Sequence, residues 1–204
     1  MVRPLALGID GVLGLVPGKT FITRLGPAIT ERGPLRSAPM AEDKAVEFTD
    51  LLDRFAASVV ANDGAGLGAL FTADGVYAEE FFGAHQGRAA IAAMLQRFHD
   101  TGRDYRWDFI DPVSDGATGY ARFRFSFASR LPESKGRPVV FEGISRFRFR
   151  DGLVERYDEA FDRGVALVQL GFPAERIKRV VEKAAAAQNA TAEARIYLDR
   201  FSRP

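Results

Sequence analysis

The chain is predicted to be an α+β protein: a curved antiparallel sheet wrapped around three N-terminal helices, followed by a C-terminal helical extension. Three observations carry this. Apolar residues recur with helical spacing from about residue 45 to residue 98. Four later segments, rich in aromatic and β-branched residues, alternate with a period of two. Asp115-Gly116 and Asp151-Gly152 stand between these segments as hairpin turns.

The helices come first. Val46, Leu51, Leu52, Phe55, Val59 and Val60 form one apolar stripe, which ends at Asn62-Asp63-Gly64. Leu67, Leu70 and Phe71 mark a short second helix, and Asp74-Gly75 reads as a turn. A first strand is expected over Val76–Phe82, with Tyr77, Glu79 and Phe81 on one face and Glu80 on the solvated side. Gly87-Arg88 opens a third helix in which Ile91, Met94, Leu95 and Phe98 share a face. The remaining strands are expected over Tyr105–Ile110, Gly119–Ser129, Pro138–Arg150 and Leu153–Phe161. Phe123, Phe125 and Phe127 oppose Arg122, Arg124 and Ser126, and Phe147 and Phe149 oppose Arg146, Arg148 and Arg150. Helices packed on one face of the sheet bury the Phe rows and leave the Arg rows outside. Pro173 then starts a helix with Ile177, Val180, Val181 and Ala184 as its stripe, and Asn189-Ala190-Thr191 breaks it before Ala194–Phe201. These last helices either cap the domain or meet a partner subunit.

Bulk properties narrow the function. The 204 residues are 47% hydrophobic with a formal net charge of +1, enough for a core and too balanced to attract nucleic acid or anionic lipid. With no cysteine, zinc–thiolate sites and a cysteine nucleophile are excluded. No apolar run reaches the roughly 18 residues of a spanning helix, so no membrane is expected and the cytoplasm is the expected location. Residues 1–40 read as an irregular or disordered leader, with Gly or Pro every few residues. Asp10 interrupts any secretory h-region, Met40 is a possible natural start, and Gly14-Leu-Val-Pro-Gly18-Lys19-Thr20 falls one residue short of a phosphate loop.

Phe55 to Phe71, then Thr72-Ala73-Asp74-Gly75-Val76-Tyr77, then His85-Gln86-Gly87-Arg88-Ala89-Ala90-Ile91, and last Phe147 to Tyr157 stand in the order and spacing of a known pattern. Over residues 41–172 the chain resembles the nuclear transport factor 2-like, SnoaL-like superfamily, which includes ketosteroid isomerases. The resemblance implies a cone, or cystatin-like roll, whose open end admits a hydrophobic small molecule and whose convex sheet face often forms a homodimer. Residues 173–204 are the helical extension. The Arg rows with Glu142, Glu155, Asp158 and Asp162 fit such a charged dimer surface better than a nucleic-acid patch.

The resemblance also names site residues. It places Glu79 inside the cone, where ketosteroid isomerases carry their general-base aspartate; burial there raises a carboxyl toward useful proton-transfer chemistry. It sets Phe55 at the tyrosine and Ser145 at the proton-donating aspartate of that enzyme, and phenylalanine donates no hydrogen bond. Steroid isomerisation in its usual form is therefore not expected. Tyr157-Asp158-Glu159-Ala160-Phe161-Asp162 resembles the end of limonene epoxide hydrolases and sets Glu159 at an acidic position, although that enzyme's Asp and Arg are replaced by the aromatics around Phe123 and Phe125. Two glutamates sharing one cavity would split their titrations into an acid and a base; either could instead face solvent. His85, at the cone mouth, is a third catalytic candidate, and His99 a weaker one. Tyr77, Phe55, Tyr105, Trp107, Phe125, Ser145 and Tyr157 are the candidate ligand-binding residues. No metal site and no cofactor are expected. The expected function is cofactor-free acid–base catalysis of isomerase, dehydratase or cyclase type on a hydrophobic small molecule; the alternative is a non-catalytic ligand-binding or dimerisation module.

Overall fold

Residues 39–81 and 83–201 are described by a computed structural model, with side chains from residue 47 onward. The phosphate-loop-like run and the rest of residues 1–38 lie outside the described residues, as does Phe82. The chain runs α1 (Pro39–Val60), α2 (Gly64–Ala69), β1 (Phe71–Glu79), β2 (Gly83–Gln86), α3 (Arg88–Thr101), β3 (Gly102–Ser114), β4 (Thr118–Ser129), β5 (Pro138–Arg150), β6 (Leu153–Phe161), α4 (Arg163–Gln169), α5 (Ala174–Asn189) and α6 (Ala192–Leu198). Among the described residues no helix is long and apolar enough to cross a membrane.

Local chemistry explains the punctuation. Asn62 takes a positive φ of 57° after α1, and the Asp63 carboxylate then caps α2 through Gly66 N–H at 2.8 Å. At Asp151 and Gly152 the φ values of 54° and 75° give the doubly left-handed turn that a tight hairpin needs. Asp162 caps α4, accepting from Gly164 and Val165 N–H. It therefore serves a helix start rather than the charged sheet face expected from the sequence.

All six strands form one sheet in the order β2-β1-β6-β5-β4-β3. Every pair is antiparallel except β1 with β6, which is parallel. β1 also departs from the expected Val76–Phe82: it starts at Phe71 and absorbs Asp74-Gly75 as a bulge, where the register against β6 shifts between Phe71 and Val76. A Cβ on Gly75 would lie 3.0 Å from the Val154 carbonyl of β6, so the bulge requires a glycine. Two elements went unread in the sequence. β2 has no apolar alternation, and α4 is too short to show a helical period.

The Phe rows face inward as expected: Phe123, Phe125 and Phe147 are buried. Outside, Arg124 pairs with Glu142, and Arg146 and Arg156 both reach Asp158 at 2.7 Å. Phe55, from the middle of α1, is the hub of the interior and has no exposed surface. Its ring centroid lies 5.0 Å from Tyr157, 5.5 Å from Trp107, 5.7 Å from Phe147 and 5.8 Å from both Tyr77 and Phe109. Truncating it leaves a cavity under four strands. Phe55→Ala is expected to destabilise the fold by about 3 to 5 kcal/mol. Urea denaturation checks this; a loss below about 1 kcal/mol would mean that the hub collapses around the gap.

Candidate functional site

A cavity of about 340 Å³ opens between the inner face of the sheet, α3 and the start of the C-terminal extension. Its walls come from four strands: Tyr105 and Trp107 of β3, Phe123, Phe125 and Phe127 of β4, Phe141 of β5, and Glu159 and Phe161 of β6. Glu79 and Phe81 close it from the β1 side, Phe98 and Thr101 from α3. The rings touch one another around the space: Trp107 and Phe125 are 4.8 Å apart, Phe125 and Phe141 5.5 Å, Phe141 and Phe161 4.4 Å. Alternation along each strand places one ring every second residue on this face.

The C-terminal extension supplies the remaining wall. Leu167 and Leu170 of α4, Phe172, and Arg176 and Val180 of α5 line the cavity. Two contacts hold them there. The Gln169 amide donates to Val140 C=O and accepts from Val140 N–H, both at 2.7 Å, fastening α4 to β5. The Arg176 guanidinium lies 3.6 Å over the Phe172 ring and donates to Glu133 at 2.7 Å. Between the two possibilities left open by the sequence, these elements cap the cavity. The helix α6 is different: Ile196, Tyr197 and Phe201 just beyond it remain exposed.

Glu79 and Glu159 are the only carboxylates among the described residues that line this cavity. The pairing Tyr77↔Tyr157 and Ala78↔Asp158 carries the next residue of each strand, Glu79 and Glu159, onto neighbouring rungs of one face, where parallel strands lie about 4.8 Å apart. Their surroundings differ. Glu79 is buried and accepts from the Phe81 N–H at 2.7 Å. Glu159, partly exposed because it faces the cavity, accepts from the Tyr157 hydroxyl at 2.7 Å. That hydroxyl has one proton, so Ser145, 2.9 Å behind it, is the donor to Tyr157. The result is a one-way chain, Ser145 to Tyr157 to Glu159 Oε2, which leaves Oε1 as the oxygen that carries Glu159's own proton. Burial pushes the Glu159 carboxyl up to about 8, helped by the nearby Glu79 charge and opposed by the Tyr157 hydrogen bond. The Tyr157 hydroxyl itself is held well above its ordinary range, first by burial and then by Glu159.

The other sequence candidates separate into three groups. Tyr105, Trp107 and Phe125 line the cavity. Phe55, Tyr77, Ser145 and Tyr157 are fully buried behind it, and among the described residues the Tyr77 hydroxyl and the Trp107 Nε1–H have no hydrogen-bond partner. His85 is not brought to the cavity. It belongs to β2, across from Tyr77, with Nδ1 3.4 Å from an Arg97 guanidinium nitrogen, and burial followed by that positive charge holds its pKa down. His99 instead contacts the Val59 carbonyl at 2.8 Å and the Tyr105 ring. Glu80, expected to be solvated, is ion-paired with Arg163. Sequence reasoning missed Arg176, Leu167, Leu170 and Phe172; the usable signal was the Asp162 cap followed by apolar Val165, Ala166, Leu167 and Leu170. Among the described residues no three His, Asp or Glu side chains gather as a metal site.

No curated protein matches the sequence. Solved structures do match the fold. A protein of ketosteroid isomerase-like fold from Catenulispora acidiphila, solved in complex with trimethylamine, aligns with TM-score 0.56 and 20% identity over 62% of this chain and 95% of its own. A putative polyketide cyclase from Xanthomonas campestris aligns with TM-score 0.53 and 24% identity over 62% and 98%. An LEH-like epoxide hydrolase from M. tuberculosis aligns with TM-score 0.52 and 18% identity over 62% and 91%. The family model for the SnoaL-like domain matches residues 52–157, a span that includes Glu79 and ends two residues before Glu159, and the chain therefore belongs to the SnoaL-like family.

Proposed function

We propose that this protein is a cofactor-free acid–base catalyst, of isomerase, dehydratase or cyclase type, acting on a hydrophobic small molecule held in the cavity. The observation that supports it is the pairing of Glu79 and Glu159 on neighbouring rungs in unlike surroundings. Paired carboxyls whose environments push their titrations apart divide into an acid and a base; ketosteroid isomerase, a relative of this fold, is a worked case of that environmental effect. Glu159 keeps its proton at neutral pH because its carboxyl sits near 8, and in this reading Glu79, beside it on β1, is the base. In the step this allows, Glu79 takes a proton from a carbon beside a carbonyl. The C–H electron pair forms the new C=C of an enol as the carbonyl π pair moves to oxygen, and Glu159 gives its proton to that oxygen. Where the substrate carries a β,γ double bond, the intermediate is a dienol, and return of the proton from Glu79 to its far carbon, with the hydroxyl proton going back to Glu159, completes an isomerisation. The neighbours include proteins named a polyketide cyclase and an epoxide hydrolase, in keeping with small-molecule chemistry, and the trimethylamine held by another is in keeping with a small organic ligand.

One observation favours the second reading, a binding module without turnover. Phe55 stands where the isomerases carry a tyrosine donor and is packed among rings with no polar atom to offer. Proton exchange separates the two. Hydrophobic ketones incubated with the protein in D2O should gain deuterium at the α-carbon, followed by NMR, and Glu79→Gln should slow this by about 100-fold or more. Exchange that survives Glu79→Gln intact removes Glu79 as the base, and no exchange with any ketone leaves the binding module.

A stability measurement addresses Glu159 directly. Its folded-state pKa is raised from the ordinary 4.5 to about 8, so the folded chain holds a proton that the unfolded chain has lost. That contribution is complete below about pH 4.5 and is lost as pH rises through about 8. Glu159→Gln, which cannot ionise, is expected to gain Tm relative to the parent chain steadily between pH 5 and 8 and to hold a constant difference above that. Parallel Tm profiles for the two chains would show that Glu159 is already ionised at pH 5.

A further inference from the structure

The cavity lining has a composition that a plain hydrophobic ligand would not need. Rings of Tyr105, Trp107, Phe123, Phe125, Phe141 and Phe161 surround the space from four strands, and the Glu159 carboxyl enters between them on β6. Ring faces carry negative potential and attract cations with poorly hydrated charge. A neutral apolar ligand would lie on Glu159, stripping water from the carboxyl and giving nothing back. A ligand whose positive charge is spread over alkyl groups satisfies both surfaces at once. We propose that the cavity takes an organic cation, an ammonium group carrying apolar substituents, with its charge against the ring faces and Glu159.

The competing choice is an anion at Arg176, the one basic residue that lines the cavity among those described. Its charge is already committed. Glu133 accepts from it at 2.7 Å, and its flat face covers Phe172 at 3.6 Å, so it forms part of the cap. The ionisable groups that act on Glu159 are Glu79 from β1 and Tyr157 from its own strand, with Tyr77 behind them. Both tyrosines are held well above their ordinary range by burial, and no basic side chain is among the groups that act on Glu159 in the described residues. Glu159 itself loses its proton at about pH 8. A permanently charged cation should therefore bind more tightly as pH rises through that value, and its uptake should release protons.

This inference names the ligand class of the site proposed above, and rests on that reading only in taking the cavity as the ligand site. Its test uses binding rather than turnover, so it can fail while acid–base catalysis stands, and the reverse. Three probes share one tert-butyl-like shape: choline is the cation, 3,3-dimethylbutan-1-ol the neutral isostere, and 3,3-dimethylbutanoate the anion. The chain has a single tryptophan, and Trp107 is in the cavity wall, so intrinsic fluorescence reports occupancy, with titration calorimetry as a second readout. At pH 9 choline is expected to bind about tenfold or more tightly than the alcohol, the factor that a desolvated cation–ring contact supplies. Between pH 6.5 and 9 its affinity should rise several-fold while that of the alcohol does not rise. In Glu159→Gln the rise with pH should vanish. Equal affinity for choline and the alcohol, tightest binding of the butanoate, or no binding of any of the three by either readout would each overturn the proposal; the wild-type comparison decides even if the variant is unstable.

Discussion

The parallel pairing of β1 with β6 is the constraint on which the rest of the site depends. Every other neighbouring pair in the sheet is antiparallel and joined along the chain or by a short connection. Tyr77 of β1 and its partner Tyr157 of β6 are about eighty residues apart along the chain, and their pairing joins the β1–β2 hairpin to the β3–β6 meander. Their common direction means that side chains leave both strands in step. Tyr77 therefore faces Tyr157, with ring centroids 4.6 Å apart, and Glu79 stands beside Glu159 one layer further out. An antiparallel pairing would have matched one carboxylate with a residue at the other end of the strand. The bulge at Asp74-Gly75 sets this match as well, since a shift of a single residue would send Glu79 to the opposite face.

That arrangement places two carboxyls over a layer of rings, and the rings decide how the carboxyls behave. Phe55, Phe147 and Tyr77 fill the space beneath, so there is no water on that side to stabilise charge. Among the described residues, polar support for Glu159 from within comes from the Ser145–Tyr157 chain. It does two things. It offers one hydrogen bond to the carboxylate, opposing the effect of burial without cancelling it. It also fixes which oxygen is occupied, and so the direction in which a proton can leave. The phenylalanine at position 55 is part of the same logic. It gives up a donor but packs against both tyrosines, holding Tyr157 where its hydroxyl meets Glu159.

Much of this was legible in the sequence, and for a physical reason in each case. β5 and β6 fall on the residues expected from alternation, and Asp151-Gly152 joins them, because side-chain period and turn chemistry are local properties. Glu79 was legible as inward-facing from its neighbours Tyr77 and Phe81 together with the family resemblance, and Glu159 from resemblance alone. The pairing of β1 with β6 was not legible, since a strand's alternation is the same whichever partner it takes. The start of β1 was misplaced because Asp-Gly is a turn signal in most contexts, and only contact with Val154 makes it a bulge. The cap was hidden for a related reason. Arg176 sits in the charged first turn of a helix, and nothing local distinguishes a guanidinium that closes a cavity from one in water.

His85 shows how the same distinction bears on mechanism. With an ordinary pKa near neutrality, histidine is the first residue to consider for proton transfer at physiological pH, and its position before α3 invited that role. The fold sends it to β2, where partial burial and Arg97 favour its neutral form, and it is not among the residues that line the cavity. The site does not lack a group that titrates near neutrality, however. Removing water from Glu159 and setting a second carboxyl beside it moves an ordinary glutamate to about 8, slightly above the range that histidine usually covers. The two groups differ in the charge they carry when they lose the proton. A histidine becomes neutral, whereas Glu159 becomes an anion surrounded by aromatic rings. Under the proposed function such a cavity donates a proton at neutral pH, and under the proposed ligand class it becomes more hospitable to positive charge as the proton is lost.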